Sequence, residues 1–197
     1  MHCAELPIPG AFLITPKILP DPRGQFFESL RTDVLEKTLG HPFVPLQVNY
    51  STSRRNTLRG IHSVTSPPGQ AKYVSCVRGA VRDILVDLRP DSPAFGGHVV
   101  NALDAGSGRA VYIPEGVGHG FLTLADDTCV CYLLSSVYVP GTQIDIDPLD
   151  PDLSLPWGYD EQPLLSEKDA AAPSLKAALD SGVLSGRWSG TAARTRR

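Results

Sequence analysis

Arg59, His62 and Lys72 fall within one short stretch, Leu58–Lys72, reading LRGIHSVTSPPGQAK. An arginine offers a rigid fork of donors that fits a phosphate or a carboxylate. An imidazole can take up a proton near neutral pH. An ammonium can stand beside an oxygen on which negative charge develops. The three together suit an anionic substrate that undergoes proton transfer. The plain alternative is a surface hairpin with three unrelated polar residues, and a single stretch does not choose between them.

Two further residues could join such a site. In the strand pattern Cys129–Leu134, alternation puts Val130, Tyr132 and Leu134 on one face and Cys129, Cys131 and Leu133 on the other, so Tyr132 can project inward with the apolar set. A buried tyrosine whose hydroxyl bonds to backbone is the competing account. His119, in PEGVGH, is either a substrate contact or a satisfied core histidine.

The elements that must position these residues are mostly short strands. Phe12-Leu13-Ile14 reads as a strand, followed by the turn Pro20-Asp21-Pro22-Arg23-Gly24 and a second strand over Gln25–Leu30. Thr32–Leu39 reads as a helix with Thr32 as its N-cap and Gly40 as its stop, and Pro42–Tyr50 as extended chain. Lys72–Val77, Val81–Leu88, Val99–Leu103, Arg109–Ile113, Gly120–Leu124 and Cys129–Leu134 follow as strands, with a turn at Arg78-Gly79 and a hairpin turn at Asp126-Asp127. Strands at this spacing predict an all-β sandwich or barrel. After Tyr138 a proline- and aspartate-rich stretch reads as a long ordered loop. Ser166 then caps a helix, with Asp169 three residues on as in a capping box. Leu175–Ser181 makes another helical turn. Residues 1–182 are expected to form one domain and residues 183–197 a flexible tail.

Composition narrows the class. The 197 residues suffice for one domain with a full core. A formal net charge of -3 argues against a nucleic-acid or anionic-membrane surface. No stretch has the length of a membrane-spanning helix, and MHCAELPIPGAF lacks the basic and apolar regions of a signal peptide. A cytoplasmic protein is therefore expected, and its four cysteines read as small hydrophobes rather than metal ligands or disulfides.

Several blocks occur in one order: RGQFFE (Arg23–Glu28), QVN (Gln47–Asn49), LRGIH (Leu58–His62), GQAKYVSCVRGAV (Gly69–Val81), SPAFG (Ser92–Gly96), YIPEGVGHGFLTL (Tyr112–Leu124) and LSEKDAAAP (Leu165–Pro173). In these blocks the chain resembles the dTDP-4-dehydro-6-deoxyhexose epimerases, including the dTDP-4-dehydrorhamnose 3,5-epimerases, over about Phe12 to Leu179. The resemblance implies a cupin-type jelly-roll β-barrel, a homodimer, a dTDP-4-keto-6-deoxy sugar as substrate, and neither metal nor other cofactor. It implies that His62 is the base beside the ketone, Asp169 its orienting carboxylate, Lys72 the group that stabilises the enolate oxygen, and Tyr132 the acid on the opposite face. Arg23, Glu28, Gln47, Asn49, Arg59, His119 and Lys168 match positions that bind the nucleotide-sugar, and Tyr138 one that stacks on thymine. The family usually carries Glu where this chain has Gln143, which is expected to meet the nucleotide.

These residue types suit the implied reaction. A C–H next to a carbonyl becomes removable when the enolate is stabilised and a base is held in reach. Inversion then needs a second acid across the ring, and a nucleoside diphosphate needs charge-assisted donors such as Arg23, Arg59 and Lys168. Three rival readings stand beside this one. A metal-dependent cupin enzyme would need more ligands than His62 and His119 supply. A non-catalytic sugar-binding barrel would have no need of the His62, Asp169 and Tyr132 set. A ketoisomerase on the same kind of substrate fits the LRGIH and EKDAAAP blocks less well. Which of C3 and C5 is inverted depends on ring pose, and the SVTSPP loop and TQIDIDPLDP segment resemble members from antibiotic-sugar pathways.

Overall fold

The computed structural model describes residues 1–184, and the tail expected over 183–197 lies almost wholly outside the described residues. Leu184, at their end, is buried against the core rather than loose. The strands in chain order are β1 (His2–Glu5), β2 (Phe12–Thr15), β3 (Leu19–Asp21) and β4 (Gly24–Phe26), then helix α1 (Thr32–Leu39). There follow β5 (Gln47–Ser53), β6 (Leu58–Val64), β7 (Lys72–Arg78), β8 (Ala80–Asp87), β9 (His98–Asp104), β10 (Ala110–Ile113), β11 (Val117–Thr123), β12 (Thr128–Leu134) and β13 (Gln143–Asp145). Two short helices, α2 (Glu167–Ala170) and α3 (Leu175–Asp180), close the described chain.

Two antiparallel sheets face each other. One has the order β1-β2-β10-β7-β12-β5, the other β13-β6-β11-β8-β9, and β3 and β4 form a separate hairpin. Between β5 and β13 only the β8–β9 connection joins paired neighbours, and every other link crosses from one sheet to the other. That is the all-β jelly-roll class expected of the sequence. It also corrects one expectation. Asp126-Asp127 is not a hairpin turn, because β11 pairs with β6 and β8 while β12 pairs with β5 and β7. The turn, with Asp127 at φ 52, carries the chain between sheets.

Alternation builds the core between the sheets. Val74 and Cys76 of β7, Val111 and Ile113 of β10, and Val130 of β12 meet Val81 and Leu85 of β8 and Val117 and Phe121 of β11. The outer faces are covered as well. Leu35 of α1 and Phe43 pack on Tyr73 and Tyr112 behind the six-stranded sheet. Behind the five-stranded sheet, Ile146, Leu153 and the fully buried Trp157 pack on Ile84 and Leu122. The proline-rich segment after Tyr138 is therefore a strap, and its first part forms β13, a strand absent from the sequence reading.

Other local expectations shift for identifiable reasons. The second strand ends at Phe26 and not Leu30, since Ser29 turns its carbonyl toward the Tyr73 hydroxyl and Leu30 packs against the cluster under α1. Arg31, not Thr32, is the N-cap of α1, and no side chain caps the helix; Arg31 is held instead by Asp33 at 2.9 and 2.8 Å. Gly40 does end it, at φ 78 with its N–H on the Glu36 carbonyl. LRGIH is no surface hairpin. It lies in β6, between β13 and β11.

Candidate active site

A cleft of about 520 Å³ is lined from both sheets. β6 contributes Arg59 and His62, β11 His119 and Phe121, β7 Lys72, β12 Tyr132, and β5 Asn49 and Ser51. Residues three apart on a regular strand point to opposite faces, so Arg59 and His62 need an irregularity to share one. The register supplies it. His62 lies opposite His119 and Arg59 opposite Phe121, so three steps on β6 match two on β11. The extra residue is accommodated at Gly60, with φ +118, where a Cβ would lie 2.6 Å from the His119 carbonyl oxygen and the Gly120 Cα.

The imidazole of His62 places Nε2 2.6 Å from Asp169 Oδ1. Nε2–H donated to that carboxylate leaves Nδ1 as the nitrogen able to accept a proton. Asp169 is fixed in turn by α2, whose N-cap Ser166 accepts from the Asp169 N–H at 3.0 Å. Burial pushes the Asp169 carboxyl up, but the hydrogen bond and charge of His62, the Ser166 hydroxyl and the Lys168 ammonium outweigh it, and its pKa is lowered.

Lys72 is buried, with Nζ donating to the His62 carbonyl at 3.0 Å. Burial lowers its pKa to about 8, and the charge of Asp145 opposes that shift. Tyr132 faces inward as its parity predicts, its hydroxyl 3.1 Å from Ser51 Oγ. Burial raises its pKa far above that of a free phenol, despite the Ser51 hydroxyl and the Arg59 charge. Arg59 Nε donates to Ser53 Oγ at 3.0 Å, which aims the guanidinium along the cleft.

His119 proves to be both a cleft residue and a satisfied buried histidine. It is 3% exposed, Nε2 meets Asp83 Oδ2 at 2.5 Å, and Asn101 donates to the other Asp83 oxygen at 3.2 Å. Its ring also stands edge-on to Tyr132, with centroids 6.1 Å apart. Gln143 and Lys168 line the cleft. Gln47 and Tyr138 do not, but the Tyr138 N–H donates to Gln47 Oε1 at 2.9 Å, and Gln47 Nε2 donates to Asn49 at 2.9 Å, so both sit beside it. Arg23 and Glu28 lie elsewhere. Arg23 is paired with Asp21 at 2.6 Å on the exposed β3–β4 hairpin, and Glu28 with Arg31 at 3.4 Å.

The sequence reading missed Ser51, Asp83 and Asp145. Ser51 follows Gln47 and Asn49 by the two-residue period of β5. Asp83 is a lone acid between Val81 and Leu85 on the core face of β8, a signal of a buried partner. Asp145 follows Gln143 in the same way but was masked by the loop-like composition around it. Among the described residues no group of three His, Cys, Asp or Glu side chains is placed to hold a metal. The cysteines are all free, with Cys76 and Cys131 buried.

The arrangement is a carboxylate-paired imidazole on one sheet facing a protonated phenol on the other, with an ammonium on the imidazole residue's carbonyl and a guanidinium alongside. Sequence comparison matches residues 5–177 to the model of the dTDP-4-dehydrorhamnose 3,5-epimerase family. The chain belongs to the dTDP-4-dehydrorhamnose 3,5-epimerase family. The match sets aside the ketoisomerase, metal-dependent cupin and binding-barrel readings. Among curated relatives of this epimerase, a dTDP-4-dehydrorhamnose 3-epimerase of Streptomyces niveus is 46% identical over 93% of this chain and 88% of its own. A dTDP-4-dehydrorhamnose 3,5-epimerase of Mycobacterium tuberculosis is 44% identical over 97% of this chain and 95% of its own. The fold of the epimerase is also that of solved relatives. NovW, a 4-keto-6-deoxy sugar epimerase from the novobiocin cluster of Streptomyces spheroides, superposes with a TM-score of 0.91 at 46% identity, over 93% of this chain and 92% of its own. ChmJ, a 3'-monoepimerase of Streptomyces bikiniensis solved with dTDP-quinovose, gives 0.89 at 45% identity, covering 93% and 92%.

Proposed function

We propose that this epimerase inverts C3 of a dTDP-4-dehydro-6-deoxyhexose in deoxysugar biosynthesis of the antibiotic type. The observation that carries it is the placement of His62 and Tyr132 on opposing sheets around one cleft, with the Lys72 ammonium reaching from the sheet of Tyr132 to the His62 carbonyl at 3.0 Å. Nδ1 of His62 removes the C3 proton as the Lys72 ammonium takes up charge on the C4 oxygen. Tyr132, held protonated by burial, returns a proton from the other face. Arg59 and Lys168 supply donors to the diphosphate. The 3-epimerase of Streptomyces niveus and the ChmJ monoepimerase support inversion at C3. A second reading, inversion at both C3 and C5, is favoured by the likeness to the 3,5-epimerase of Mycobacterium tuberculosis. Incubation with dTDP-4-dehydro-6-deoxyglucose in D₂O separates them. Deuterium at C3 alone supports the first reading, deuterium at C3 and C5 the second, and none at either carbon refutes both.

The protein acts as a homodimer in this reading. Arg23 and Glu28 match substrate-binding positions yet sit away from their own cleft, so a partner's cleft is where they would meet substrate. The same hairpin and the free edge of β5 expose Phe26 (64%), Leu46 (62%) and Tyr50 (67%), apolar surface that a second copy would cover. Light scattering on the purified protein tests it, and a monomer at assay concentration would exclude the arrangement. Four free cysteines suit a reducing cytoplasm. Among the described residues no helix is long and apolar enough to cross a membrane.

A further inference from the structure

Asp145 is a second carboxylate at the catalytic histidine, and neither the sequence reading nor the reaction described above uses it. On β13 it lies opposite His62 in the sheet register. Its Oδ1 is 3.7 Å from His62 Nε2, too long for a hydrogen bond but close enough to favour the imidazolium formed when His62 takes up a proton. The same oxygen is 2.8 Å from Lys168 Nζ. It is shielded from solvent and has no partner in hydrogen-bond geometry, so the Lys168 contact is an ion pair and little else holds the charge. A carboxylate in that state is costly unless a positive charge compensates it. Gln143, on the same face of β13, is uncharged, so Asp145 is the one acid this strand presents on that face.

We propose that Asp145 is a positioning residue of the epimerase site, anchoring Lys168 beside His62 and acting as counter-ion to the buried Lys72 ammonium. The inference rests on the reading of Lys72 as the group that stabilises the enolate.

Three features favour it over a merely structural ion pair. Lys168 is 57% exposed, and a lysine so placed is ordinarily mobile and solvated unless a fixed charge holds it. Asp145 is only 20% exposed and is fixed by the β6–β13 ladder, so it is the rigid member of the pair. Lys72 Nζ sits on the His62 carbonyl and Asp145 lies opposite His62 in the β6–β13 register, so the two charges flank one residue, and Asp145 opposes the lowering of the Lys72 pKa by burial. The other ionisable groups that line the cleft with Lys72 are Arg59 and His62 on β6, His119 on β11, Tyr132 on β12 and Lys168 from α2, with Asp169 on the His62 ring. Asp169 is engaged by His62, which leaves Asp145 to favour the Lys72 ammonium.

The test compares Asp145→Asn and Asp145→Glu with the unaltered enzyme, following the rate of C3 deuterium exchange and kcat/KM against pH. Removing a nearby opposing charge typically moves a pKa by about one unit or more. For Asp145→Asn the alkaline limb of kcat/KM should therefore move down by about one pH unit, which at pH 8 is a loss of about fivefold. KM should rise as Lys168 is released. Asp145→Glu should keep the limb near its original place. An Asp145→Asn limb that stays at the unaltered position overturns the proposal, and so does a limb that moves equally in both variants. Should Asp145→Asn fail to fold by thermal melt, Asp145→Ser replaces it, with the same limb shift required. If the unaltered enzyme exchanges no deuterium, the assignment of His62 and Lys72 fails instead, which is a separate result.

Discussion

The His62 imidazole and the Asp169 carboxylate meet at 2.6 Å although 107 positions separate them along the chain. The contact joins a strand of the five-stranded sheet to the first turn of a helix beyond the strap. It fixes the His62 ring and leaves Nδ1 as the nitrogen free to accept a proton in the proposed reaction. Replacing His62 by Ala should abolish deuterium exchange at the sugar carbons. Replacing Asp169 by Asn should leave the ring in place but release its tautomer, with a loss of about 10²–10⁴-fold in exchange rate. Exchange by His62→Ala near the unaltered rate would remove His62 from the role of base.

Tyr132 stands across the cleft, and its raised pKa means that it carries its proton throughout the working pH range. Tyr132→Phe should still wash the C3 proton out into D₂O while forming inverted product at a small fraction of the normal rate. The two readouts are label by NMR and product stereochemistry. Equal inversion in the variant and the parent would assign the second acid elsewhere.

In the proposed reaction Lys72 sets an alkaline limit. Its ammonium is present below about 8 and lost above it, so kcat/KM should fall as pH rises through that value. The sign for stability is opposite. A lysine whose folded pKa lies below its unfolded one destabilises the fold while both forms are protonated, and this cost is relieved as pH rises from the folded toward the unfolded value. Chemical denaturation at a series of pH values should show Lys72→Met gaining stability over the parent below pH 8 as it loses activity. No difference in stability would mean that the Lys72 ammonium is compensated in full.

Gly60 is the hinge of the bulge that lets Arg59 and His62 share a face. Any side chain there would enter the backbone of His119 and Gly120 at φ +118. Gly60→Ala should cost about 3 kcal/mol or more, a fall of about 6–12 °C in melting temperature for a domain of this size. Gly40→Ala, also at positive φ but with open space around it, should cost much less. Equal effects in the two variants would show that the bulge tolerates a side chain.

Most of the cleft residues were legible through the resemblance of the ordered sequence blocks to the epimerase family, while the strand-rich class, the inward parity of Tyr132 and the capping of α2 by Ser166 were determined by the sequence itself. These rest on period-2 alternation and short-range hydrogen bonding, which are properties of neighbours along the chain. It did not determine which strands pair. Nearly every link from β5 to β13 crosses between sheets, so the turn at Asp126-Asp127 looks like a hairpin while its two strands belong to different layers. Nor could it place Asp145 beside His62 and Lys168, or Asp83 beneath His119, because those contacts depend on the register between strands distant in sequence. Register is set by how two faces pack at once, and only the folded chain has both faces. Arg23, on a hairpin that belongs to neither sheet, and Glu28, in the link from that hairpin to α1, likewise end up outside the cleft.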